Sequence, residues 1–291
     1  MQDLFIDRSV LPPTETPRKS EETNEAQYTR MISVAMITMN EEKAVARVIE
    51  DIRDALNGRE FEIVVVDSSR DATPSIAAGQ GARVIRQFPP QGYGRAMARV
   101  LRESHGDVVV TLDCDGTYPA SEIPRLADMV LSGQCDLVNA SRLERRPQTM
   151  PLANYLANWF FAIAGRVLVG VQSTDLHSGM RAYSHRVIHE VDFDPNGPAL
   201  PVELLLKPAL EGFRVREVFI PYGERIGETT LQRWSSTVWT FRRILRLAVF
   251  RFTHLSKRAS PADGNTRSSC ALDQSHRPSG SSSATHRNSV Q

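Results

Sequence analysis

Between residues 32 and 140 the chain alternates short apolar runs with stretches whose apolar residues recur at helical spacing, and no other feature restricts the fold as much. Ile32 to Thr38 has the composition of a buried strand, and Val45, Val48, Ile49, Ile52 and Leu56 fall on one helical face within Glu42 to Leu56. Phe61 to Val66 reads as a second strand, Pro74 to Ala78 as a short helix and Ala82 to Arg86 as a third strand. A helix over Gly94 to Ser104 precedes a strand from Asp107 to Asp113. A helix over Pro119 to Leu131, capped by Ser121 with Pro124 in its first turn, precedes a strand from Asp136 to Ala140. Strands separated by helices join through right-handed crossovers into a parallel sheet covered on both faces. The expected class is α/β, a doubly wound, mainly parallel, Rossmann-like sheet, in which ligands bind outside the carboxyl ends of the strands.

The second half is less regular. Leu152 to Val169 is an apolar helix carrying Tyr155, Trp159, Phe160 and Phe161. Val202 to Glu211 reads as a helix ending at Gly212, although Pro208 inside it predicts a kink or an early end. Arg214 to Ile220 is a strand, and Leu231 to Leu255 a long basic and apolar helical stretch. Residues 1–30 read as a mobile polar arm and 257–291 as a disordered Ser/Arg-rich tail, too poor in apolar residues to order itself. The folded domain is expected over 31–256.

The fourth strand ends in Asp113-Cys114-Asp115-Gly116-Thr117. Carboxylates in such a place are costly unless compensated, and hard oxygen ligands suit Mg²⁺ or Mn²⁺. Asp113 and Asp115 are therefore the candidate metal ligands, gripping a phosphorylated substrate; a solvated turn or helix cap is the plainer reading. Haloacid-dehalogenase-like phosphatases carry the same Asp-x-Asp-Gly-Thr, but at the end of their first core strand. Here three strand–helix units precede it, and no Gly-Asp-x-x-x-Asp follows.

A net charge of +1 gives no field that would favour nucleic acid. Three cysteines are too few and too scattered for a disulfide framework or a zinc site, which points to the cytoplasm. Met1 to Asp7 lacks the features of a signal peptide. No uninterrupted apolar run reaches the roughly 18 residues of a transmembrane helix, so the chain is not expected to span a bilayer. It has the means to lie on one. Val238 to Phe252 mixes aromatic and aliphatic residues with Arg242, Arg243, Arg246 and Arg251, the composition of an interfacial helix, and Leu152 to Val169 offers a second contact. Packing against the sheet, or a dimer interface, is the other use of these helices.

Taken in order, the strand ends resemble family 2 glycosyltransferases. Val34-Ala-Met-Ile-Thr-Met-Asn-Glu41 is similar to the first strand and turn of that family, with Ile37 and Met39 in place of its usual Pro and Tyr. Val64-Val-Val-Asp67-Ser-Ser-Arg-Asp71-Ala-Thr73 resembles the second strand and turn, one residue short, with Ser68 in place of a common second Asp. Gly92-Tyr-Gly94-Arg-Ala96 resembles the glycine turn, and Asp113-Cys-Asp115 with Pro119 and Ile123-Pro124 the metal motif and following helix. Asn139-Ala-Ser141-Arg142, Asp175-x-x-Ser178-Gly179-x-Arg181 and Arg225-Ile-Gly227-Glu-Thr229 look like the dolichol-phosphate mannosyltransferase branch. Many members of that branch carry C-terminal membrane spans, which this sequence does not show.

The resemblance implies a GT-A fold and a metal-dependent, inverting transfer of a sugar from a nucleotide diphosphate to a polyprenyl phosphate at the cytoplasmic membrane face. It implies that Asp115 binds the metal, with Asp113 sharing it or holding the ribose, that Asp67 reads the base, and that Thr38, Asn40 and Glu41 line the nucleotide pocket. Gly94 belongs to a turn where backbone approaches the ligand. Arg142, Arg181 and Arg225, near Ser178, are the candidates to grip donor or acceptor phosphate, since a guanidinium matches phosphate oxygens. A phosphate acceptor needs no strong base. A hydroxyl acceptor would need one, and Glu203 falls about where the family's base stands, although it is equally placed to complement a helix dipole. His177 has no assigned role.

Overall fold

The computed structural model describes residues 30–227 and 233–259. The expected N-terminal arm, save Arg30, and the tail beyond 259 lie outside them, as do Glu228 and Thr229 of the Arg225 motif. Seven strands form one sheet in the order β3-β2-β1-β4-β6-β5-β7. They are β1 (Ile32–Thr38), β2 (Phe61–Asp67), β3 (Arg83–Arg86), β4 (Val108–Thr111), β5 (Leu137–Ser141), β6 (Arg181–Ser184) and β7 (Val215–Phe219). All pairings are parallel except those of β6, which runs antiparallel to both β4 and β5.

The apolar runs make strands because both sheet faces are covered, and their alternation sorts the core into two layers. Val34 and Met36 of β1 and Val65 of β2 face one layer, with α1 (Val45–Ala55), α2 (Thr73–Gly79) and α4 (Ile123–Leu131). Ala35, Val64 and Val66 face the other, with α3 (Tyr93–Arg102), α5 (Leu152–Ala164), α6 (His185–Glu190), α7 (Leu200–Glu211) and α8 (Arg233–Ala259).

Four details differ from expectation. Strand β6 and helix α6 were not foreseen, because Arg181-Ala-Tyr-Ser184 is too short to show alternation and begins with arginine. Ser121 does not cap α4; a 3₁₀ turn over Ala120–Glu122 leads into it, with Pro124 in the first helical turn. Helix α7 continues past Pro208 and stops at Gly212, whose φ of +97° only glycine adopts freely. Helix α5 ends at Ala164 and continues as a π turn over Gly165–Val169, where a side chain on Gly165 would crowd Leu176.

Helices α5 and α8 each bury one side and leave a large apolar side open. Leu152, Leu156, Trp159, Phe160, Ile163 and Val167 are exposed along α5 and its π turn, and Val238, Phe241, Leu245, Val249 and Phe252 along α8. By length and composition Leu152–Val169 is, among the described residues, long and apolar enough to cross a bilayer, a property it shares with many core helices. Arg243 departs from the reading of the α8 arginines as one interfacial set: it is turned inward and buried against Glu203.

Candidate active site

The strands deliver their polar residues to one end of the sheet, where β1, β2 and β4 finish side by side. A cleft of about 450 Å³ opens there, lined by Thr38, Met39 and Glu41 after β1, Ser68 after β2, Gly92 and Tyr93 at the start of α3, Asp113 and Asp115 after β4, and Arg225.

Asn40, the one non-glycine residue with positive φ (+60°) among those described, ties the first two strand ends together. Its backbone N–H donates to Ser69 Oγ (2.8 Å) and its Oδ1 accepts from the Arg70 N–H (2.9 Å). Asn and Asp tolerate this conformation better than other side chains. Asn40 thus shapes the loop rather than lining the cleft.

Asp67 is also fully engaged. It accepts from Thr38 Oγ1 (2.7 Å), Ser69 Oγ (2.6 Å), the Ser69 N–H (3.0 Å) and Arg86, and its side chain is 0% exposed. The expected base reader is held beneath the cleft, and its neighbour Ser68 is the residue that faces in. Gly94 likewise does not line the cleft. A Cβ on it would collide with the carbonyl oxygens of Pro195 and Gly197, whereas Gly92, with φ of +93°, lines the cleft.

The two aspartates of the metal motif are brought together. Asp115 Oδ1 accepts from the N–H and hydroxyl of Thr117 (3.0 and 2.6 Å), and its Oδ2 lies 3.0 Å from Arg225. Asp113 has no hydrogen bond or ion pair among the described residues, and Gly179 presses so close that a Cβ there would come within 2.6 Å of its carboxylate. Burial, reinforced by the charge of Asp115, raises the Asp113 carboxyl to about 6. Glu41 rises to about 7 through burial, opposed by Arg225, which it meets at 3.2 Å. Arg225 therefore bridges Glu41 and Asp115. Its loop is fastened to the metal motif by Gly223 N–H to Thr117 O (2.9 Å) and Ile226 N–H to Asp115 O (2.8 Å).

No group of three His, Cys, Asp or Glu able to hold a metal occurs among the described residues. Two carboxylates, one lacking any donor, fit a hard divalent cation whose other ligands are phosphate oxygens and water, as Mg²⁺ and Mn²⁺ are commonly held. Asp113 and Asp115 are the residues that would hold it.

Arg142 stands on the neighbouring wall. It forms a two-pronged pair with Asp175 (2.6 and 2.9 Å) and lies 5.9 and 5.2 Å from the rings of Tyr118 and Tyr222. The two tyrosines escaped sequence reasoning. So did Glu217, which accepts from Asn139 (3.0 Å), Ser173 and Thr174 (2.7 Å) and fixes the segment leading to Asp175. A carboxylate on the same strand face as Val215 and Phe219, at the middle of a five-residue strand, was the available signal.

Three further candidates do not reach the cleft. Ser178 is buried and donates to the Ala140 carbonyl. Arg181, 1% exposed, spends its donors on Asn139 Oδ1 (2.7 Å), Leu176 O (2.9 Å) and Pro201 O, which leaves it no free edge for a phosphate. Glu203 is buried against Arg243 and accepts from the Asp194 N–H (3.2 Å), so it is placed as an ion-pair partner rather than a base.

His177 joins α5 to α8, with its ring 5.6 Å from that of Phe161 and Nε2 2.9 Å from Thr240 Oγ1. Its Nδ1 is buried with no hydrogen-bond partner among the described residues, and burial lowers the imidazole from 6.5 to about 4. The unfolded chain takes up a proton that the fold excludes, so this contribution is full above pH 6.5 and lost as pH falls toward 4. The melting temperature is expected to drop over that window, and His177→Gln to flatten the drop. An unchanged slope in the variant would remove His177 as the cause.

Residues 33–192 match the family described as Glycosyl transferase family 2. The chain belongs to that family. This family 2 glycosyltransferase is 42% identical over 200 residues to the dolichyl-phosphate hexose transferase of Haloferax volcanii, covering 69% of this chain and 86% of the relative. It is 30% identical over 227 residues to the dolichol-phosphate mannosyltransferase of Pyrococcus furiosus, covering 74% of this chain and 63% of that one. Its fold matches that of glucosyl-3-phosphoglycerate synthase from Mycobacterium tuberculosis, solved with Mn²⁺, UDP-glucose and phosphoglyceric acid. The TM-score is 0.64 and the identity 24%, over 81% of this chain and 86% of the other. The sheet of the family 2 glycosyltransferase described above is thus the GT-A arrangement, and the cleft lies at its strand ends.

Proposed function

We propose that this glycosyltransferase moves a hexose, with inversion, from a GDP- or UDP-sugar to a polyprenyl phosphate at the cytoplasmic face of a membrane, within one catalytic domain over 31–256. The reading of the acceptor is carried by Arg142, which pairs with Asp175 through Nε and Nη2, keeps Nη1 out of that pair and has a side chain 10% exposed. The names of the two curated relatives, a dolichyl-phosphate hexose transferase and a dolichol-phosphate mannosyltransferase, support it. Mg²⁺ or Mn²⁺, when bound, would act as a Lewis acid on the departing diphosphate. Asp113 and Asp115 orient the donor's diphosphate end, Ser68 and Thr38 face its nucleoside, and Arg225 leaves its bridge between Glu41 and Asp115 to meet phosphate. Arg142 holds the acceptor phosphate, which is anionic near neutrality and needs no base to attack. The rival reading, a hydroxyl acceptor deprotonated by Glu203, loses support because that carboxylate is already committed to Arg243.

The test supplies labelled GDP- and UDP-sugars with polyprenyl phosphate and Mg²⁺ or Mn²⁺, and follows label into an organic extract. Transfer abolished by EDTA is the expected result. Label that remains aqueous with every donor would overturn the lipid acceptor.

The open apolar sides of α5 and α8 fit a bilayer interface, and the exposed Arg242 and Arg246 lie among the α8 residues. Flotation with anionic liposomes at low salt is expected, and Leu245→Glu with Val249→Glu should release the protein without unfolding it, since both are at least half exposed. Flotation unaffected by the pair would rule α8 out as the contact.

A further inference from the structure

Residues 192–199 join α6 to α7 without helix or strand, and Gly197 and Pro198 among them line the cleft together with Tyr93 and Ala96 of α3. This stretch is gripped by two helices. Against α3, a Cβ on Gly94 would come within 2.4 Å of the Pro195 carbonyl oxygen and 2.5 Å of that of Gly197. Against α8, a Cβ on Gly197 would come within 2.6 Å of the Trp239 ring, and the φ of Gly197 is +80°. Arg243, one helical turn along from Trp239, donates through Nη1 to the Asp194 carbonyl (3.0 Å) and through Nη2 to that of Asn196. Glu203 pairs with the same guanidinium and accepts from the Asp194 N–H (3.2 Å). The Asp194 carboxylate accepts from Arg246 and from the Asn196 N–H (3.1 Å).

We infer that α8 sets the shape of the donor cleft: Arg243 and Trp239 are positioning residues for the nucleotide-sugar, acting through residues 194–198. The inference rests on the reading of the cleft as the donor site. Neither residue lines the cleft itself. Backbone carbonyls outside helices and strands need partners from elsewhere, and the two that Arg243 takes, on Asp194 and Asn196, flank Pro195 and lead into Gly197. A planar guanidinium fixes both at once and still meets Glu203, whereas an ammonium is a single point charge. With Trp239 against Gly197, and the Pro195 and Gly197 carbonyls against Gly94, the wall has little room to shift. A wall fixed before the donor arrives has less freedom to lose on binding. That benefit is shared by ground state and transition state, so its loss raises donor KM and leaves kcat in place.

Three variants test this. Arg243→Lys keeps a charge for Glu203 but gives up the fork on the two carbonyls. Trp239→Ala removes the ring against Gly197. Glu203→Leu with Arg243→Met removes the fork and both charges, so that neither is left without the other. Each is studied well below its melting temperature, by titration with GDP and UDP in the presence of Mn²⁺ and by turnover of labelled donor. In the double variant the nucleoside diphosphate Kd and donor KM are expected to rise about tenfold, the factor for two lost hydrogen bonds of ordinary strength. Arg243→Lys and Trp239→Ala should raise both by less, and kcat should stay within a few-fold in all three. If wild type binds a nucleoside diphosphate and the folded variants bind it equally well, α8 does not set the cleft, although the donor reading stands. A fall in kcat with donor KM unchanged would also overturn the inference. If wild type binds neither GDP nor UDP, the donor reading fails and the role of α8 with it.

Discussion

Asp115→Asn is expected to lower kcat/KM by about 10³ or more while leaving the melting temperature within a few degrees. The metal contributes several kcal/mol to stabilising the departing diphosphate, and about 4 kcal/mol corresponds to that factor. Asn keeps an oxygen for Thr117 and leaves the Asp115 carbonyl bonded to Ile226, so the turn is preserved. What it removes is the charge that meets Arg225 and would meet the cation. Mn²⁺ binding in the presence of nucleoside diphosphate should weaken in parallel. Activity within tenfold of wild type would take the metal away from Asp115.

The second large effect is on stability. Glu203→Ala leaves Arg243, 3% exposed, without its nearer carboxylate, with only Asp194 standing off at 3.5 Å. Breaking a buried pair from one side costs about 3–5 kcal/mol, or on the order of 10 °C in a domain of this size. Replacing both partners with apolar residues, Glu203→Leu with Arg243→Met, should recover much of the loss. Turnover of the folded fraction should stay within a few-fold. The opposite pattern, a fall of roughly 10² or more in kcat with little change in melting temperature, would restore Glu203 as a base.

Strands β1, β2, β4 and β5 were legible because each is a mostly apolar run that only a sheet covered on both faces can bury, and the juxtaposed Asp113 and Asp115 because two carboxylates end such a run. Glu203 and Arg181 were misjudged for a shared reason. Residue type and position in a motif suggest what a side chain offers, but the partner that consumes the offer lies far along the chain. Glu203 meets Arg243 from a helix whose arginines read as lipid-facing. Arg181 meets the carbonyls of Leu176 and Pro201 because β6 lies inside the sheet. Asp67 was placed at the right strand end, yet Arg86, a β3 residue, turns its carboxylate into a tie between strands. Met39 kept its place at the cleft in spite of departing from the family's usual residue there.

Strand β6 carries a consequence for assembly. Among the described pairings it is the hydrogen-bonded link between the β3-β2-β1-β4 half of the sheet and the β5-β7 pair. As the chain emerges from the ribosome, the first half has all its strands once β4 is made. Strand β5 follows, but both its neighbours in the finished sheet, β6 and β7, lie beyond α5 in the sequence, so β5 waits with both edges open, first for residues 181–184. Domains fold as units during synthesis, and here the unit cannot close until its sixth strand is inserted. The β3-β2-β1-β4 half can take shape early, while the segment that carries Arg142 becomes rigid only after that strand arrives.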